Sequence, residues 1–286
     1  MTIDYDVLRG WKFEERRTPY AKHDNILYAL SLGYGGDPMN LAELPFVYEN
    51  DLKAVPSVLT VLGAPIGWAA DPLTGIAWQR ILHGEHRMTL HGLVKPEGVL
   101  RSTTRVSRVV DKGVGKGALV VTQRRITDDT DGTSLATIEH TSFCLDDGGF
   151  GRSDEAPEPL PQVPLTPPEL VVTHTTSPGA ALLYRLNGDR NPIHADPSAA
   201  RAVGFDKPIL HGLCTYGMAT KAVLQKFCDN QPERLKSLSV RFSAPFFPGE
   251  TLLVKLWRQA ERVQFAAFSA QRGIAVLTHG LARVER

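Results

Sequence analysis

The chain has 286 residues, a length that can form two domains with sizeable cores. It carries 32 basic and 31 acidic residues and a formal net charge of +1, so charge gives no argument for binding nucleic acid or an anionic membrane surface. We therefore expect its partners to be small molecules or a second copy of the chain.

Cysteine usage and the terminal segments predict the compartment. Cys144, Cys214 and Cys228 show neither metal-ligand spacing nor a disulfide framework. The start, MTIDYDVLRGWKFEERR, lacks the apolar core of a signal peptide, and no run of about 18 apolar residues predicts a membrane span. The end, ARVER, is not a peroxisomal tripeptide. We expect a cytoplasmic protein with reduced thiols and no membrane partner.

Little regular structure is predicted for the first third of the chain. Residues 11–22 are charged and extended in character, and a short helix is predicted from Asp24 or Asn25 to Gly33. Residues 46–48 are predicted as a strand. The apolar segment 56–68 is interrupted by glycines and a proline, so any helix in it should be short and broken.

Strand patterns dominate the next stretch. Residues 88–95, 99–110, 118–126 and 134–145 are β-branched or alternate in polarity. The sequence DKGVGKG lies between the second and third of these strands. Because no helix follows its glycines, we interpret it as a hairpin turn and not as a nucleotide-binding loop.

Three histidines in this region, His83, His86 and His91, suggest a metal site at first sight. On a strand, His83 and His91 are about 26 Å apart at ~3.3 Å per residue, and His86 should face the opposite side. No single ion could bind all three, so we expect no metal site.

A proline-rich segment divides the chain. Residues 152–168 contain six prolines and little apolar mass, which is typical of an extended linker. We therefore predict an N-terminal domain over 1–151, a linker over 152–168 and a C-terminal domain over 169–286.

Residues 170–173 start the second domain and lead to the stretch with the densest chemistry. Gly188-Asp189 and Asn191-Pro192 mark a turn that should confine Asp189 and His194 to one short loop, where a carboxylate and an imidazole form an acid/base pair. Asp196 and Pro197 predict the start of a short helix that Gly204 ends. A longer helix is predicted to start near His211, and its N-terminus should offer free N–H groups to a negative oxygen.

The chain ends in four more strands. Residues 238–242 alternate strictly, and 251–257, 263–270 and 274–284 complete what reads as an antiparallel meander with one polar face. The two halves of the chain also echo each other, because a strand meets KPEG in the first and FPGE in the second. We interpret this as an old duplication.

The sequence GDRNPIH, followed by ADP, GF and PILHG, resembles the signature of the MaoC-like dehydratases, and specifically of (R)-specific enoyl-CoA hydratase 2. Asn187 departs from the small residue that many members carry there. The resemblance implies an α+β double hot-dog fold, with two antiparallel sheets each wrapped around a helix. It also implies a homodimer.

The same resemblance implies a mechanism. Asp189 and His194 would activate one water that adds across the double bond of a trans-2-enoyl thioester. Asn191 would help to hold the site, and the Gly212 N–H would bind the thioester oxygen as it gains enolate charge. Coenzyme A belongs to the substrate, so neither a metal nor another cofactor is expected.

The first half, with FVYE, ILHGE, VVDKGVGKG and GGFG, is similar to the N-terminal half of the two-domain hydratase 2 of multifunctional enzymes in fatty-acid β-oxidation. In that family the N-terminal central helix is reduced, which makes room for a long acyl chain. Acyl-CoA contacts would fall on His83, Gly84, Lys112 and Phe242, besides the Asp189–His194 loop and Gly212. On composition alone, Lys112 is a solvated turn residue and Phe242 a core residue. His211 stays unassigned.

Other functions remain open on these residues. One is a dehydratase that works in the synthetic direction on 3-hydroxyacyl thioesters, or a hydratase for a specialised acyl group. A second is a non-catalytic hot-dog subunit that binds acyl-CoA, and a third is a thioesterase.

Overall fold

The computed structural model describes residues 3–285, and within them the strands form one antiparallel sheet. The order across the sheet is β1-β3-β4-β5-β2-β7-β10-β9-β8-β6. The strands are β1 (Arg16–Tyr20), β2 (Ile81–Leu90), β3 (Gly98–Asp111), β4 (Ala118–Asp128), β5 (Ser134–Cys144), β6 (Leu170–Thr175), β7 (Leu235–Phe242), β8 (Thr251–Gln259), β9 (Arg262–Ser269) and β10 (Ala275–Val284).

Helices are short apart from one. The α-helices are α1 (Tyr5–Arg9), α2 (Lys22–Ser31), α3 (Ala180–Tyr184), α4 (Pro197–Ala202) and α5 (Gly212–Phe227). Short 3-10 helices cover Leu44–Phe46, Pro56–Thr60, Trp68–Ala70, Pro72–Thr74, Trp78–Arg80, Arg185–Asn187, Pro192–His194 and Pro232–Arg234. None of the helices in residues 3–285 is long and apolar enough to cross a membrane.

The architecture is a double hot dog whose two halves share one strand order. From the outer edge inward, the first half runs β1-β3-β4-β5-β2 and the second runs β6-β8-β9-β10-β7. This shared order agrees with the interpretation of an old duplication. The meander prediction was wrong for β7, which pairs with β10 and not with β8. A strand's partner depends on where the chain crosses over, and polarity alternation does not encode that.

The two halves join at the centre of the sheet. Strands β2 and β7 pair antiparallel from Glu85 opposite Arg241 to Thr89 opposite Ser237. The two sheets expected from the sequence are therefore one continuous sheet. Strands β2 and β7 each form the inner edge of their half of the sheet. Their pairing therefore removes two open sheet edges.

Helix α5 is the buried helix of the second half. It packs against β7, β8 and β10, and its residues from Cys214 to Leu224 are all buried. Its core also includes Tyr28, Phe46 and Val58 from the first half. The matching element of the first half is only the 3-10 helix Pro56–Thr60, in agreement with a reduced N-terminal helix.

Local predictions differ from the structure in three places. Helix α2 starts at Lys22, and Asp24 is its third residue. Asp24 is therefore not the N-cap; its carboxylate accepts a hydrogen bond from the N–H of Ala21, which is the N-cap residue. Residues 46–48 are not a strand; the 3-10 helix Leu44–Phe46 forms there, and Pro45 cannot donate to a sheet. Strand β2 begins at Ile81, seven residues before the predicted start.

Residues 152–168 form neither helix nor strand. This segment is hydrogen-bonded to both halves of the sheet. The Asp154 carboxylate accepts from the Val109 N–H at 2.7 Å, and the carbonyl oxygens of Gln162 and Thr166 accept from Gln264 and Trp257.

Candidate active site

The loop from Asp189 to His194 is shaped by its own short-range hydrogen bonds. The Asn191 N–H donates to Asp189 Oδ1 at 3.1 Å, and Asn191 Oδ1 accepts from the Ile193 N–H at 3.2 Å. Pro192 then starts the 3-10 helix Pro192–His194. Asn191 is exposed and its side-chain oxygen is used within the loop, so it contributes to the site by holding the turn.

The turn brings the predicted pair together. A carboxylate oxygen of Asp189 and ring nitrogens of His194 and His211 all lie within 4.8 Å of one another. Directly after the loop, Asp196 caps α4 by accepting from the Ser198 N–H at 2.7 Å, with Pro197 at the first helical position, as predicted. The loop is therefore anchored at its C-terminal end by a capped helix.

His194 has the protonation state of a base. Its Nδ1 lies 2.8 Å from the carbonyl oxygen of Ile209. Because a carbonyl oxygen only accepts, Nδ1 carries the proton and Nε2 keeps its lone pair. Burial lowers the pKa of His194 below 6.5, partly offset by the Ile209 hydrogen bond and by Asp189. The ring is therefore neutral at neutral pH and can accept a proton at Nε2.

Gly212 lies at the head of α5, where the first N–H groups have no partner inside the helix. A Cβ placed on Gly212 would come within 3.0 Å of Phe242 Cδ1 and Cε1. The Phe242 ring thus covers Gly212 closely, and the absence of a side chain at residue 212 lets the ring lie against the helix.

His211, which the sequence left unassigned, belongs to the same cluster. Its ring stacks on that of His194 with centroids 3.6 Å apart and planes 23° apart, and its Nε2 lies 3.1 Å from the carbonyl oxygen of Asp189. Burial, followed by the repulsion that two protonated rings would exert on each other, lowers the pKa of His211 to about 4. Its place between PIL and the helix start was the one signal available in the sequence.

His83 reaches the head of α5 through Phe242, and Gly84 follows it on β2. The ring centroids of His83 and Phe242 are 4.1 Å apart. The pairing of β2 with β5 shifts register between His83 and Glu85, which makes a β-bulge at Gly84, where a Cβ would lie 3.1 Å from the Thr141 carbonyl oxygen.

The bulge corrects the prediction that His86 faces away from His83. Their ring centroids are 5.6 Å apart, and His140 on β5, directly opposite His86, completes a group of three. Ring nitrogens of His83, His86 and His140 lie within 4.8 Å of one another, so these three could approach one metal ion, as could Asp189, His194 and His211. The sequence pattern groups His91, and not His140, with His83 and His86. His140 lies on the neighbouring strand β5, and the sequence of one strand does not show which strand pairs with it.

Lys112 lies apart from the loop. It is exposed on the turn between β3 and β4, and its ammonium is 4.7 Å from the centre of the Phe143 ring. Phe143 pairs with Leu82, the neighbour of His83. The structure thus groups Asp189, His194, His211 and Gly212, joins His83 and Phe242 to them, and places Lys112 beyond His83.

Such an arrangement can perform general acid/base chemistry on a bound small molecule. A neutral imidazole with a free Nε2 can accept a proton, the nearby carboxylate can orient a water, and the helix N-terminus can stabilise a developing negative charge.

Comparison with known proteins gives consistent matches over both halves. Residues 159–278 match the MaoC like domain, and residues 19–146 match the MFE-2 hydratase 2 N-terminal domain. The chain is 35% identical to enoyl-CoA hydratase ChsH3 of Mycobacterium tuberculosis, covering 98% of each protein.

Two further relatives extend the comparison. The peroxisomal multifunctional enzyme type 2 of Drosophila melanogaster is 37% identical over 88% of this chain, which spans only 44% of that enzyme. The crystal structure of a MaoC-like dehydratase from Phytophthora capsici superimposes with a TM-score of 0.88 at 31% identity, covering 99% of this chain and 98% of that one.

Proposed function

Because the chain belongs to the MaoC-like dehydratase family and carries a hydratase 2 N-terminal domain, we propose that it is a hydro-lyase acting on acyl-CoA. The reaction is the (R)-specific addition of water to trans-2-enoyl-CoA, giving (3R)-3-hydroxyacyl-CoA, and its reverse. The observation that carries this proposal is the free Nε2 of His194 beside the Asp189 carboxylate and the head of α5.

One water supplies both added groups. The Asp189 carboxylate accepts a hydrogen bond from the water and orients it, while His194 Nε2 takes one of its protons as the water oxygen bonds to C3. The electron pair of the C2–C3 double bond moves toward the thioester carbonyl, whose oxygen accepts a hydrogen bond from the Gly212 N–H. The proton on His194 is then delivered to C2.

Substrate binding in this proposal uses residues around the same head of α5. His83, Gly84 and Phe242 contact the acyl-CoA next to Gly212; the packing of His83 on Phe242 and of Phe242 on Gly212 supports this, and Gly84 is the next residue after His83. Asn191 keeps the loop closed. Lys112, exposed and cationic, serves the coenzyme A end of the substrate, where a phosphate or carbonyl oxygen can accept its protons.

The proposed chemistry requires no metal and no cofactor other than the coenzyme A of the substrate. Acid/base placement contributes about 10²- to 10⁴-fold to the rate, and one oxyanion donor about 10²- to 10³-fold.

We further propose that the protein is a cytoplasmic homodimer that serves fatty-acid β-oxidation. Sedimentation equilibrium should give twice the 31.4 kDa chain mass.

The test is a hydration assay with crotonyl-CoA and a long-chain trans-2-enoyl-CoA, followed by chiral analysis of the product. The wild-type protein should form the 3R product before and after dialysis against EDTA. Asp189→Asn and His194→Gln should each lower kcat by about 10²-fold or more while retaining acyl-CoA binding. The matched controls Asp206→Asn and His23→Gln change exposed residues and should behave as wild type.

Three outcomes would contradict the proposal. Wild-type turnover in Asp189→Asn or His194→Gln would remove these residues from the mechanism. Tight acyl-CoA binding without any turnover by the wild-type protein would favour a binding subunit. Release of free thiol in place of hydration would identify a thioesterase.

A further inference from the structure

His211 and His194 brace each other's backbone. His194 donates from Nδ1 to the carbonyl oxygen of Ile209, two residues before His211. His211 faces the carbonyl oxygen of Asp189 with Nε2 at 3.1 Å, so Nε2 carries its proton. The Ile209 N–H also donates to the Ile193 carbonyl oxygen at 3.3 Å. Three hydrogen bonds therefore connect the catalytic loop to the segment that leads into α5.

The His211 ring packs against two other rings. Its face toward the loop stacks on His194 with centroids 3.6 Å apart, and the Tyr184 ring lies 4.9 Å away. His211 is only 1% exposed, and within residues 3–285 its Nδ1 has no hydrogen-bond partner.

Burial keeps the pair neutral, and the closeness of the two rings adds to this effect. The ionisable groups that face His211 are Asp189, Arg185, His194 and the Tyr184 hydroxyl. Two imidazoles stacked at this distance resist double protonation, and burial opposes protonation of either ring. Neutral His211 can therefore donate a hydrogen bond to the backbone carbonyl oxygen of Asp189 at every pH at which neutral His194 acts as a base.

We propose that His211 is a positioning residue of the hydratase. It holds the backbone of Asp189 and the ring plane of His194 on the head of α5, so that His194 Nδ1 stays within hydrogen-bond distance of the Ile209 carbonyl oxygen that keeps the proton there. This inference rests on the proposed function, since it explains how the base is oriented. It assigns no contact between His211 and the substrate.

Two variants separate the two contributions of the ring. His211→Phe retains a ring that can stack on His194 but removes the donor to Asp189. His211→Gln retains a side-chain N–H donor but removes the stacking ring. Both replace a buried residue, so circular dichroism and thermal unfolding must first show that each variant is folded.

In steady-state assays, His211→Phe should lower kcat by about 10²-fold with KM nearly unchanged, because a small displacement of a catalytic group costs rate and not ground-state binding. His211→Gln should recover part of that loss. Unchanged kcat in both folded variants, or a rise in KM alone, would overturn the proposal.

A second readout does not depend on turnover. Imidazole ¹⁵N chemical shifts should assign the proton of wild-type His194 to Nδ1, and should show a mixture of tautomers in His211→Gln, because without the stacking ring His194 can turn away from the Ile209 carbonyl oxygen. A pure Nδ1–H tautomer in that variant would show that His211 does not position the ring. If the wild-type protein lacked hydratase activity but the tautomer changed as expected, the proposed function would fail while the positioning role would stand.

Discussion

At the scale of single residues, the candidate site is built on backbone carbonyl oxygens. The oxygens of Ile209 and Asp189 determine which nitrogen of His194 and of His211 carries a proton. Since these acceptors belong to two segments that meet only in the folded chain, the protonation pattern of the site reflects the fold and not the loop alone.

Gly212 provides a test at this scale. In Gly212→Ala, the new Cβ would lie 3.0 Å from two ring carbons of Phe242, so the ring must shift by a few tenths of an ångström. We expect kcat/KM to fall about tenfold, because that shift disturbs the contact beside the N–H that we propose to bind the thioester oxygen. Gly179→Ala is a matched control, since a Cβ there meets nothing within 4 Å. Equal kinetics for the two variants would show that Phe242 does not need to lie against Gly212.

At the scale of elements, α5 is held by close contact with the end of α2. A Cβ on Gly217 would lie 2.4 Å from Leu32 Cδ2 and 3.1 Å from the Tyr28 hydroxyl oxygen. Asn187, after α3, also donates to Ser31 Oγ at 3.1 Å. The first half therefore supports α5, the helix that begins at Gly212 in the second half.

This contact predicts coupling between two substitutions. Gly217→Ala should lower the free energy of unfolding by about 1–3 kcal/mol through overpacking, and Leu32→Ala by about 2–5 kcal/mol through a cavity. In the double variant the new methyl group occupies part of that cavity, so the loss should be smaller than the sum. Urea unfolding of the four proteins measures the coupling; strict additivity would show that α2 and α5 do not meet at this point.

At the scale of the whole molecule, one sheet carries both halves. At the junction of β2 and β7, the buried carboxylate of Glu85 binds Arg241 at 2.7 Å and Arg87 at 2.7 Å. On the same strand, His86 is buried, and His83 on that strand and His140 on β5 lie half-buried beside it. The centre of the sheet thus holds neutral imidazoles as well as paired charges.

Those imidazoles predict acid sensitivity. Burial lowers the pKa of His140 to about 4 and the pKa values of His83 and His86 well below 6.5. The unfolded chain binds these protons near pH 6.5, so their contribution to stability is complete above that pH and is lost as the pH falls toward 4.

Urea unfolding at pH 7.5, 5.5 and 4.5 measures this dependence. Stability should fall steadily over the series, and His86→Gln should reduce the slope below pH 6.5. The exposed control His23→Gln should leave the slope unchanged. A wild-type stability independent of pH over this range would contradict the buried, neutral state of the three rings.

Local patterns in the sequence were sufficient for the elements that bear the candidate site. The Asn191-Pro192 turn, the Asp196 cap of α4 and the start of α5 at Gly212 were predicted within a residue, because each depends on neighbours along the chain. The family signature added the double hot dog, which the structure confirms. The roles of Asp189 and His194 stay predictions.

The sequence by itself determined which residues form the loop, its cap and the buried helix, since these are set by hydrogen bonds between residues a few positions apart. Only the tertiary structure decided that β7 pairs with β10, that the bulge at Gly84 turns His83 and His86 to one side, and that His211 stacks on His194. Those features arise from contacts between distant segments. Such contacts are selected by packing and pairing of the whole chain, and no short window of sequence contains both partners.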